Sequence, residues 1–286
     1  MDSAIRIKYR AKIKRIERTY NRLETEALKT IYREATALRR QILGELADLT
    51  VGDIDRRLLN QSLQSINAMI DSHFDDIATA IGRIMEDFGE LGTAEGEIIA
   101  DLFNLDFVPV SFPTQLQASA EYTADLISTI SGDTQRKVER FIKTLAFGAA
   151  GETRTFELRK GIIKILGGDG RSVRKGKVTG AAFQLERITR TEVSRIYSLT
   201  NQMQAKAMND QIPDLMKVWL ANVDGRERPA HRLANRQKRH IDKAFDVGGE
   251  KLMYPLDPAG SAKNTVFCRC RSRMYSPSLM GEGFFD

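Results

Sequence analysis

From Tyr9 to Leu49 one apolar or small residue recurs at every third or fourth position: Tyr9, Ile13, Ile16, Tyr20, Leu23, Ala27, Ile31, Ala35, Leu38, Ile42, Leu46 and Leu49. The mean gap is about 3.6 residues, the period of a straight α-helix. No Pro occurs in the first 50 residues, and Gly44 is their only Gly. The pattern predicts one helix of about 40 residues, about 60 Å long. A single apolar stripe of that length must be covered, by another part of the chain or by a second protein. It reads as an arm, a bundle strut or a docking helix.

A second helix is predicted from about Asp53 to Phe88, after a turn and N-cap at Thr50-Val51-Gly52-Asp53. Its apolar face is carried by Ile66, Met69, Ile70, Phe74, Ile77, Ile81, Ile84 and Met85. The two helices are expected to form an antiparallel hairpin over 1–92, closed by a break at Gly89-Glu90-Leu91-Gly92. Residues 93–113 read as a short helix and then an extended linker, because Pro109 and Pro113 oppose helix. A helical body follows over 114–212, with segments at 114–130, 133–148, 152–167 and 181–210. Ser131-Gly132-Asp133, Gly148 to Gly151 and Gly167 to Gly170 punctuate them. After Pro213 the character changes. LMKVWLANV has the look of a strand, a short basic helix is expected near 229–243, and VFCRCRSRMYS reads as a closing strand. The expected fold class is mainly α: a long N-terminal helical hairpin and helical body, then a small C-terminal α+β module over 213–275 and a tail over 276–286. Terminal disorder is the default expectation for that tail, although its Phe284 and Phe285 offer a docking element.

The net charge of +6 conceals a partition. The first 40 residues carry 12 Lys/Arg against 5 Asp/Glu, residues 41–130 carry 3 against 16, and the remainder carries 29 against 17. The basic ends suit nucleic acid, an acidic partner surface, or the acidic middle of this chain or of another copy. No run of about 18 apolar residues exists, so no membrane span is expected. The basic N-terminus lacks the apolar core and cleavage site of a secretory signal. Two cysteines in 286 residues make no disulfide scaffold and point to a reducing, cytosolic origin.

Chemistry-bearing residues concentrate in the last 100 positions. In WLANVDGRERPAHRLANRQKRH, period-two alternation places Asp224, Arg226 and Arg228 on one side, as bidentate partners for carboxylate or phosphate. Pro229 suits the first turn of a helix carrying His231. The only cysteines, Cys268 and Cys270, admit three readings. They pack as buried core on one side of a strand, or join His231 in a zinc site completed by His240, Asp224 or solvent, or form a disulfide. The Cα separation of strand positions i and i+2 disfavours the last. On the opposite strand face Arg269, Arg271 and Arg273 form a basic stripe, solvated or salt-bridged in one reading and a phosphate contact in the other. Arg171, Arg174, Lys175 and Lys177 lie in a basic, glycine-rich stretch, GGDGRSVRKGKVTG. This lacks the residue order of a phosphate loop and reads as a solvated loop or a contact for DNA or an acidic partner. Trp219 is expected to anchor the module core, with Glu192 and Tyr197 of the preceding helix packed against it. No nucleophile signature accompanies His231. The chain is therefore expected not to be an enzyme, with a metal-dependent nuclease or toxin-like activity the least favoured alternative.

Five separated pieces carry a family likeness: RTEVSRIYSLTNQ at 190–202, W-x4-D-x-R-x-R-x2-H from Trp219 to His231, Phe245, LMYPLDP at 252–258, and C-R-C at 268–270. In order and spacing they resemble the phage Mu protein F-like domain of minor head proteins, also called phage head morphogenesis proteins. The motif positions are Glu192, Trp219, Asp224, Arg226, Arg228, His231, Phe245, Pro255, Asp257, Pro258, Cys268, Arg269 and Cys270. Two positions depart from the family pattern: Phe267 stands where Asn usually precedes C-R-C, and Leu233-Ala234-Asn235 where Leu-Asp-Gly is frequent. The resemblance implies a structural protein of a tailed-phage or prophage head, made in the host cytoplasm and residing in the virion near the portal. It implies portal, capsid or scaffolding protein as partners, with double-stranded DNA close by. The alternative role is a packaged DNA-binding or ejection protein. No cofactor is expected other than the zinc considered above.

Overall fold

A computed structural model describes residues 3–47, 56–148, 151–167, 180–281 and 283–285. Among them are eight helices: α1 (Ser3–Glu45), α2 (Arg56–Phe103), α3 (Pro113–Gly148), α4 (Gly151–Leu166), α5 (Gly180–Met208), α6 (Pro229–Ala234), α7 (Ala262–Thr265) and α8 (Pro277–Met280). Five strands accompany them: β1 (Met216–Leu220), β2 (Lys238–His240), β3 (Phe245–Val247), β4 (Glu250–Leu252) and β5 (Arg271–Tyr275). The fold is mainly α with a small α+β end.

The predicted stripe of α1 is buried at every position from Tyr9 to Leu46; Leu49 and the turn at 50–53 lie outside the described residues. α1 and α2 run antiparallel. Lys12 pairs with Asp101, Glu34 with His73, and Ser65 donates to Glu45 at 3.2 Å. None of the described helices is long and apolar enough to cross a membrane.

α2 does not break at Gly89–Gly92. A Cβ on Gly92 would lie 2.0 Å from Thr200 Oγ1 and 2.6 Å from the Tyr197 carbonyl, and one on Gly89 would lie 2.2 Å from Leu116. These glycines permit close helix packing, which outweighs their weak helix propensity. The helix ends instead at Asn104, whose positive φ of 52° makes it a left-handed cap. Much of the expected linker at 93–113 is therefore helix. Only 105–112 lies outside helix, and Pro113 opens α3 at a position where its missing N–H costs nothing. α3 likewise runs through Ser131-Gly132-Asp133, where Ser131 donates to Asp71 at 3.0 Å and Asp133 pairs with Lys137.

Two compact units form, neither continuous in sequence. One comprises Met1–Thr25, Ile84–Ser119 and Arg190–Asp286; the other comprises Glu26–Arg83 and Ala120–Thr189. The boundaries expected at 92, 113, 212 and 275 thus do not coincide with the compaction. The helices are longer than one unit, and the C-terminal module completes its core on α1, α2 and α5. Tyr20 illustrates this, lying edge-on to Phe88 at 4.8 Å and to Tyr197 at 5.4 Å.

Within the module β1 is central, flanked by β2 and β5 in antiparallel register, with Val218 opposite both Lys238 and Arg273. β3 and β4 form a separate hairpin. Gly248 and Gly249 join them with φ of 61° and 85°, which a type I′ turn demands. The helix expected over 229–243 stops at Ala234. There the chain turns, with Arg236 N–H donating to the Trp219 carbonyl at 2.7 Å, to pair β2 with β1. The tail is ordered against its own chain over the described residues 283–285. Phe284 is buried and meets Tyr9 edge-on at 5.1 Å, and Arg6 lies 5.2 Å above its ring.

Candidate metal centre in the C-terminal module

Trp219 sits on the central strand with no exposed surface, and its ring meets Phe245 at 5.3 Å and His231 at 5.8 Å, both edge-on. Around it cluster Ala234, Val247, Leu252, Leu256, Cys268 and Cys270. His231 enters this core from the first turn of α6, started by Pro229. Its Nδ1 lies 3.2 Å from Cys270 Sγ and 3.5 Å from Cys268 Sγ. The three side chains are 2%, 3% and 3% exposed. The cysteines are free.

The cysteines do not occupy a strand, as their alternation predicts. They lie in the turn between α7 and β5, where Phe267 takes a positive φ of 57° and Cys270 N–H points at Cys268 Sγ, 3.4 Å away. This fold-back brings both sulfurs to one imidazole. The hydrogen bond from Cys270, with His231 beside it, pulls the Cys268 thiol well below its ordinary range against the effect of burial. Cys270 is pushed up, because it supplies that hydrogen bond and is itself buried.

The other candidate ligands turn away. Asp224 grips Arg269 through a two-pronged contact of 2.6 and 2.8 Å and holds Arg226 through Nε at 3.1 Å. The Arg269 guanidinium, then that of Arg226, holds its carboxyl far below the usual range. His240 is bound through Nε2 to the Pro213 carbonyl at 3.2 Å. Arg228 does not share a face with Asp224; it donates to the Val266 carbonyl.

The remaining motif residues shape loops. Asp257 accepts from Met253 N–H at 2.7 Å and Ala259 N–H at 3.0 Å, closing the turn in which Pro255 is buried and Pro258 exposed. Glu192, pushed up by burial, pairs with Arg195, whose Nε donates to the Leu256 carbonyl at 3.1 Å. The basic stripe of the closing strand does not form. Arg273 is buried, which removes it as a surface contact; its guanidinium donates to Tyr197 Oη at 2.8 Å and faces Glu95 at 3.8 Å. Arg271 stacks 3.8 Å above the Tyr20 ring, facing a cavity of about 340 Å³ that Arg269 also lines. Arg171, Arg174, Lys175 and Lys177 lie outside the described residues.

The reading of the sequence missed Glu95, Arg195 and Lys217. Glu95 left a signal: a carboxylate on the apolar face of α2, between Phe88 and Ile99. Lys217 is buried in β1 and donates to Gln202 Oε1 at 3.0 Å and the Met253 carbonyl at 2.7 Å.

No protein-family model matches the chain, and no solved structure matches it. It is similar, at 31% identity over 87 residues, to the NAD(+)--arginine ADP-ribosyltransferase EFV of Enterococcus faecalis (strain ATCC 700802 / V583). The match covers 30% of this chain and 18% of that protein.

Proposed function

We propose that this chain is a structural and assembly protein of a tailed-phage or prophage head, associating with the portal and capsid. One observation carries the reading. The five separated pieces that resemble minor head proteins lie in one compact unit, and the four after residue 202 meet around Trp219. There Trp219, Phe245, His231, Cys268 and Cys270 are buried core, while Asp224 and Asp257 tie loops. Such residues maintain a shape. We assign no catalytic step to them, and transferase activity is not carried over from a protein of which the chain spans 18%.

The test is co-expression with the portal and major capsid proteins of the phage or prophage that carries it, followed by purification in high salt. Retention on a portal ring, with density for the chain in the assembled particle, supports the proposal. Absence from the particle overturns it. Binding to DNA alone, falling steeply between about 50 and 200 mM salt, also overturns it in favour of a packaged DNA-binding protein.

A further inference from the structure

We propose that His231, Cys268 and Cys270 hold one zinc ion, which fastens the 267–270 turn to α6. The inference stands on geometry and donor chemistry and is independent of the assembly role.

In a tetrahedral zinc site, metal–sulfur and metal–nitrogen distances of about 2.3 and 2.0 Å set the N···S edge at about 3.6 Å. The two edges found here are 3.2 and 3.5 Å. The ligand atoms of all three side chains lie within 4.8 Å of one another. Two thiols and an imidazole are the donors that borderline-soft zinc prefers, and oxygen-seeking magnesium or calcium would find none of their usual ligands.

A second, independent observation comes from Trp219. Its indole Nε1–H is buried, makes no close hydrogen bond to oxygen or nitrogen, and faces Cys270. An N–H donor aimed at a ligand sulfur is a usual outer-shell partner of a metal-bound thiolate. Such a donor is costly to bury against neutral carbon, and a metal-bound thiolate accounts for it.

Among the described residues no further His, Cys, Asp or Glu joins the three. Asp224 is held by two arginines and His240 by a carbonyl, so the fourth position falls to a water molecule. The burial of all three ligands leaves that position closed to a substrate, and the ion is structural. Zinc binds both sulfurs as thiolates, so uptake releases the thiol protons to solvent, with no change of oxidation state.

The test uses the full chain, purified without a metal-affinity tag from zinc-supplemented culture. We expect about one zinc per chain by elemental analysis, a melting temperature lowered by chelation and restored by zinc, and thiols that zinc protects from an aromatic disulfide reagent. Cobalt(II) added to the stripped, reduced protein should give thiolate-to-metal charge-transfer bands and the ligand-field bands of a tetrahedral site. Cys270→Ser and His231→Ala should each reduce zinc content to near zero. If these variants fail to fold, the cobalt spectrum of the unaltered chain still decides. Reduced, folded protein that gives no cobalt charge-transfer band and reacts equally fast with and without zinc overturns the proposal.

Discussion

The guanidinium of Arg273 lies 3.8 Å from the carboxylate of Glu95, and the two side chains are 3% and 0% exposed. Around the pair, Tyr9 donates to Glu95 at 2.6 Å, Asn201 at 3.0 Å and the Met274 backbone at 3.0 Å. A strand arginine that reads from sequence as a partner contact is thus the internal counter-charge for a helix carboxylate. Breaking a buried pair strands the remaining charge. Glu95→Gln or Arg273→Met should each cost about 3–5 kcal/mol in guanidinium unfolding, and the double variant less than the sum. A loss below about 1 kcal/mol for Glu95→Gln would show that the pair does not hold the module to α2.

Glycines in α2 should separate into two kinds. A Cβ on Gly92 collides with the Tyr197 carbonyl, whereas one on Gly82 meets nothing within 4 Å. Gly92→Ala is expected to lower stability by about 1–3 kcal/mol through overpacking. Gly82→Ala should raise it by up to about 1 kcal/mol through helix propensity. Equal effects in thermal unfolding would contradict the packing role of Gly92.

Burial, with repulsion from Lys206 behind it, pushes Lys217 down to about 7. Between there and its ordinary value the unfolded chain binds a proton that the folded chain does not, so stability rises with pH across this window. The penalty is fully present below about pH 7 and is relieved as pH climbs toward the unfolded value near 10.4. From about pH 7.5 to 9 the native protein should gain about 2 kcal/mol more than Lys217→Met in paired urea unfolding experiments. Parallel curves would show that Lys217 stays charged in the folded state.

Phe267 occupies a left-handed backbone conformation, with φ of 57°, and its N–H donates to Thr191 Oγ1 at 3.2 Å. A phenylalanine pays a steric penalty there of about 1–2 kcal/mol, which asparagine largely avoids. Phe267→Asn should therefore raise the melting temperature while keeping the turn. A fall would mean that packing of the aromatic ring outweighs the backbone strain.

Much of the helical framework was legible because it depends on local periodicity. The stripe from Tyr9 to Leu46 is buried residue for residue. Where tertiary contact overrides local preference the sequence misleads. Gly89 and Gly92 look like punctuation until Leu116 and Thr200 are seen against them, and Ser131-Gly132-Asp133 looks like a turn until Asp71 accepts from Ser131. The same holds at the candidate site. His231, Cys268 and Cys270 can be singled out by type, but the alternation of C-R-C-R-S-R mimics a strand. It conceals the fold-back at Phe267 that brings the sulfurs to one imidazole.

The packing of Phe284 on Tyr9 bears on how the chain is made. The unit that contains both takes its three segments from positions 1–25, 84–119 and 190–286. A ribosome delivers the first of these long before the last. Until Met274 and Phe284 emerge, the apolar stripe near Tyr9 is covered on the α2 side alone, so a nascent chain leaves part of it exposed. Delayed closure of this kind invites a chaperone or an early binding partner to occupy the first helix.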